Sequence, residues 1–177
     1  MIERTRVVLT VAALVALLFP GSQAWARRVD FEAGAGVMVS LKTQTNRPID
    51  NGLAYGGQLV VNLKEKVDLE LGFLRAEGDD PDDNENQRDV DMVNLGLRLY
   101  PWAAPGVPGA FFIAVGGGRV TGLRVGETNY SMYIGPGLRI QAGEKSGFSL
   151  RLPVVVNAEG RTDPFIMPTL SWFLQFD

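Results

Sequence analysis

Val29-Asp-Phe-Glu-Ala-Gly-Ala-Gly-Val-Met-Val-Ser-Leu41 decides the fold. Every second residue from Val29 is apolar: Phe31, Ala33, Ala35, Val37, Val39 and Leu41. Between them stand Asp30, Glu32, Gly34, Gly36, Met38 and Ser40. A strand sends successive side chains to opposite faces, so this segment has one greasy face and one small or charged face. Its 13 residues exceed the ~5–6 usual for a strand in a soluble protein. They suit a tilted strand crossing a bilayer, which needs roughly 9–11.

The pattern recurs over 54–63, 67–74, 92–100, 110–120, 130–142, 147–156 and 165–176. In 110–120, consecutive Phe111, Phe112 and Ile113 and the Gly116-Gly117-Gly118 run leave the facing unassigned. Pro136 predicts a bulge in the sixth strand, because proline cannot donate to the ladder. Polar segments follow the odd-numbered strands and mostly short turns follow the even ones. The acidic run Gly78–Gln87 reads as a loop.

Composition narrows the chemistry. With no cysteine, the chain has no disulfide and no thiolate nucleophile or ligand. With no histidine, it lacks the commonest general base and transition-metal ligand. Hydrophobic residues at 46% and charged ones at 21% look like a globular protein. A membrane barrel looks the same, because lipid-facing and lumen-facing residues cancel in any window. Upstream, Arg4 and Arg6, the apolar run Val7–Phe19 and Ala24-Trp25-Ala26 read as a cleaved secretory signal peptide over 1–26. The expected domain is 27–177.

The expected architecture is all-β: an eight-stranded antiparallel up-and-down transmembrane barrel. Strands in lipid must close, since open edges would leave backbone groups unpaired. The alternative is a soluble lipocalin-like periplasmic barrel with the apolar face turned inward around an apolar ligand. The facing of Arg98, Arg139 and Arg151 separates the two, because a basic residue on a barrel's lipid face costs about 2–4 kcal/mol at the midplane. Placed inward, they meet Asp30, Glu32, Asp68 and Glu70 in a charge network at one depth. That network is read as a plug, with an occasional small-solute gate as the sharper version. Trp102, Trp172 and Phe176, with Phe31, Tyr55, Phe73 and Phe148, are read as interface aromatics near strand ends.

Asp80, Asp82 and Asn84 have the one-three-five spacing of a calcium loop, but Glu85 stands where glycine belongs and no helices flank it. No cofactor, nucleic-acid partner or catalytic group is expected.

Leu95–Trp102 (LGLRLYPW) and Ala110–Gly118 (AFFIAVGGG) carry a resemblance to the small eight-stranded outer-membrane β-barrel family, that of the OmpA transmembrane domain and OmpX-like proteins. Leu170-x-Trp172-x-Leu174-x-Phe176 is similar to the terminal signal that the barrel-assembly machinery reads, here followed by Asp177. The resemblance implies location in the outer membrane of a Gram-negative-type bacterium and contact with outer-membrane lipid. It also implies a structural, surface-interaction or weak passive-transport role.

Overall fold

The computed structural model describes residues 28–41, 50–80, 83–102, 109–122, 128–158 and 164–176. The expected signal peptide lies outside them. The strands are β1 (Val29–Ser40), β2 (Asp50–Lys64), β3 (Val67–Asp80), β4 (Asp83–Leu99), β5 (Ala110–Thr121) and β6 (Thr128–Gln141). Two more strands run in two pieces each. β7 is Ser146–Arg151 and Val154–Asn157, and β8 is Phe165–Ile166 and Thr169–Phe176.

Each strand pairs antiparallel with its sequence neighbour, and β8 pairs with β1 from Val29↔Phe176 to Gly36↔Thr169. The sheet is therefore a closed barrel. Following paired residues from Val29 leads through Val61, Leu69, Leu97, Val115, Ile134, Val154 and Ile166 back to Val39. The circuit returns ten residues further along β1, and that stagger tilts the strands. Every residue on the circuit is aliphatic and faces outward. Leu95, Ile134 and Leu170 are more than half exposed.

Several sequence expectations change. Gly78–Gln87 is largely strand, because β3 runs to Asp80 and β4 starts at Asp83. Asp and Asn are poor strand formers, but the whole propensity scale spans only ~1 kcal/mol, and a hairpin already paired below extends against that preference. The calcium spacing presupposed a loop. Asp80 and Asn84 instead sit on opposite strands, and Asp82 lies outside the described residues. Phe73, read as near a strand end, is consequently mid-strand, and Tyr55 lies well inside β2.

Pro136 makes no bulge. Ile113↔Pro136 keeps the register, since only the proline's own donor is lost and its carbonyl still accepts from Leu152 N at 3.0 Å. The strand assignments break instead at Leu152-Pro153 and Met167-Pro168. There the proline carbonyls accept from Met167 N and Val37 N, each at 3.1 Å.

β5 resolves cleanly. Phe112, Ala114 and Val120 are buried, and Val115 points out. The interior is layered. Toward the end away from the termini, an apolar tier is built from Met38, Ala54, Ala76, Val90, Met92, Val120, Val155, Phe165 and Met167, each at most 4% exposed. Buried polar residues enter at this level from β6 and β7: Ser131, its partner Asn157, and Asn129, which pairs with Val120. Toward the termini the interior is ionic.

Candidate functional site

Alternation places one or two charges inside on five of the eight strands. On β1, Asp30 and Glu32 are consecutive inward positions; on β3, so are Asp68 and Glu70. All four are 0% exposed, as is Arg98 from β4. Arg139 from β6 and Arg151 from β7 complete the seven charged residues assigned to the lumen, and both are buried.

They form two layers rather than one. The deeper layer is a closed ring. Arg98 donates from Nη1 and Nη2 to the two oxygens of Glu32, at 2.7 and 2.8 Å, and from Nε to Glu70 Oε2 at 2.7 Å. Arg151 donates to Glu70 Oε1 at 2.8 Å and to Gln58 Oε1 at 2.5 Å. Gln58 closes the circle by donating to Glu32 Oε2 at 2.5 Å. Tyr133 Oη adds a bond to Glu70 Oε1 at 2.5 Å. Gly96 and Gly116, paired across β4 and β5, let that phenol in: a Cβ at either would collide with Tyr133 Oη.

The layer nearer the termini is looser. Asp68 accepts from Tyr100 Oη at 2.9 Å and Asn62 Nδ2 at 2.8 Å. Asp30 lies 2.8 Å from Arg139 Nη1 and 3.2 Å from Arg28 Nε, yet these contacts lack hydrogen-bond alignment. Arg139 also reaches within 3.5 Å of Glu32. Among the described residues, four buried guanidinium groups thus face four buried carboxylates. Arg28 is the member that sequence reading missed. It precedes the first strand, two residues past the expected cleavage point, so no alternation marked it.

Each central arginine also covers an aromatic ring. Arg139 sits 3.5 Å from the Phe173 centroid, Arg98 4.7 Å from Phe112 and Arg151 5.8 Å from Tyr133. Such contacts supply a partly polar face to a desolvated cation. Phe112 and Phe173 are inward residues that sequence reading did not place.

Between ring and apolar tier lies a cavity of about 40 Å³, lined by Glu32, Gln58, Asn94, Arg151, Thr169 and Ser171 among others. Asn94 and Thr169 are the inward positions next below Met92 and Met167. Two polar atoms of its lining residues, Asn94 Oδ1 and Arg151 Nε, are buried without a protein partner.

Outside, Trp102, Trp172 and Phe176 are exposed at the end carrying the termini. Trp102 pairs with Phe111 at 5.2 Å between centroids, and Trp172 with Phe148 at 4.6 Å. At the opposite end the outer face turns polar. Arg75 bonds Asp91 at 2.6 Å, and Tyr55 donates to Glu77. An apolar belt separates these two rims.

Three of the solved structures that share the fold serve as comparisons. The chain resembles the N-terminal β-barrel domain of Pseudomonas aeruginosa OprF with a TM-score of 0.57 at 18% identity, covering 86% of this chain and 99% of that one. Neisserial surface protein A gives 0.62 at 7% identity, covering 84% and 96%. Outer membrane protein W of E. coli gives 0.56 at 10% identity, covering 87% and 100%. The fold is that of the small eight-stranded outer-membrane β-barrels. No protein-family model matches the sequence, and no curated protein matches it.

Proposed function

We propose that the chain is an integral outer-membrane barrel whose interior is closed to bulk ion flow and whose role is structural or surface-interacting. The observation that carries this reading is its inside-out distribution: an exposed aliphatic belt around a closed wall, with paired charges within. Water-soluble barrels put those two sets the other way round. The runner-up carrier needs room for an apolar ligand. The 40 Å³ cavity is far below the ~300 Å³ of small-molecule sites. On this reading the partners are outer-membrane lipid and, during insertion, the barrel-assembly machinery, which would read Leu170–Phe176.

Fractionation tests the reading. The chain is expected in detergent-extracted outer membranes, migrating differently on gels before and after boiling. Recovery in the soluble periplasmic fraction would overturn it. In planar bilayers the purified chain is expected to show no large steady conductance.

A further inference from the structure

Two features stand in series along the lumen, and they differ in how they meet water. The ion-paired ring is polar throughout, and groups beside it lack partners. Asn94 Oδ1 and Arg151 Nε belong to residues lining a cavity large enough for roughly three or four waters, at ~10–15 Å³ each. The tier one inward position above is mostly apolar, nine buried hydrophobic side chains against Ser131 and, at its outer edge, Asn129 and Asn157. Met38 and Met167 face each other across the β1–β8 pairing, with Met92 in the same cluster, and all are at most 4% exposed.

We infer that the cavity holds water and that the apolar tier, rather than the salt-bridge ring, is the barrier to permeation. A hydrophobic constriction blocks ions by dewetting, whereas charged groups whose pairing is disturbed can be solvated by water already beside them. The ring holds the barrel together, and the tier keeps it shut. This rests on the closed-barrel reading above.

The cysteine-free chain makes the test direct. Full-length protein is placed in lipid vesicles, with boiling-dependent gel migration as the check of folding. Two variants are compared: Met38→Ser/Met92→Ser/Met167→Ser in the tier, and Glu32→Gln/Arg98→Gln in the ring, which removes both charges of one pair. The tier variant is expected to raise small-ion flux at least about ten-fold over wild type, while the ring variant stays near wild type. The reverse order would overturn the inference, as would two silent variants.

Single cysteines give a second readout if the tier variant does not fold. Ala158→Cys, at the exposed residue just past the loop end of β7, is expected to react quickly with a small water-soluble thiol reagent added from that end. Thr169→Cys, in the cavity below, is expected to be protected. It should stay protected when combined with the ring variant. Rapid labelling of Thr169→Cys in the otherwise wild-type chain, or exposure of it by the ring variant alone, would sink the idea. A steadily conducting wild type would instead refute the closed-barrel reading, and a soluble chain the membrane reading.

Discussion

Arg98 sets the scale of what a single residue can decide. Its guanidinium is fully buried and engages two carboxylates through three hydrogen bonds. Arg98→Ala would leave Glu32 and Glu70 facing each other with only Arg139, Arg151, Gln58 and Tyr133 to share. Removing one partner from a buried pair costs about 3–5 kcal/mol. Urea unfolding of the chain in lipid vesicles should show a loss of that size, and a loss below ~1 kcal/mol would contradict the ring's role. Arg75 provides the contrast. Its bond to Asp91 is equally short, but both side chains remain about a quarter exposed. Arg75→Ala is therefore expected to cost no more than ~1 kcal/mol in the same assay. The inward facing of Asp30, Glu32 and Arg98 could be read from alternation alone. The stacking of arginines on Phe112 and Phe173 could not, because a two-fold pattern sorts aromatics with the aliphatic face and carries no cross-barrel distance.

At the scale of elements, the β3–β4 hairpin is the instructive case. Its existence was legible from Val67–Leu74 and Met92–Tyr100, whose alternation is strict. Its length was not. Past Ala76↔Val90 no apolar face is required, so the two-fold signal disappears while the backbone ladder continues through Glu77↔Asp89 and Gly78↔Arg88. Pairing geometry governs there, and composition is a poor guide to it. The extension is accordingly dispensable for the barrel below. Replacing Gly78–Arg88 with Asn-Gly leaves Glu77 and Asp89 flanking a two-residue turn of the type that suits a hairpin. The shortened chain is expected to keep its boiling-dependent gel shift and to unfold within about 1 kcal/mol of wild type, since no ring or belt contact is lost. Failure to fold would show that the extension helps nucleate the β3–β4 pair.

For the whole molecule, closure matters more than any one strand. Eight strands with a ten-residue stagger leave every ladder partner supplied only when β8 meets β1. Closure was foreseeable because a strand with a lipid-facing row cannot carry an open edge. The interior tier of methionine, valine and phenylalanine was not, since Met38, Met92 and Met167 break the rule that greasy residues point outward. The register identifies the part of the chain on which closure depends. Trp172 to Phe176 pair with Ala33 to Val29, and Trp172 to Leu174 also pair with Phe148 to Ser146. Ending the chain at Ser171 would strip β1 of those five partners within the apolar belt. Each unpaired backbone group there costs several kcal/mol, which together exceeds the roughly 5–15 kcal/mol that holds a typical native state. The truncated chain is therefore expected to lose the boiling-dependent shift and aggregate instead of inserting. If it were to enter vesicles and migrate as the full chain does, the β1–β8 seam could not be what seals the barrel.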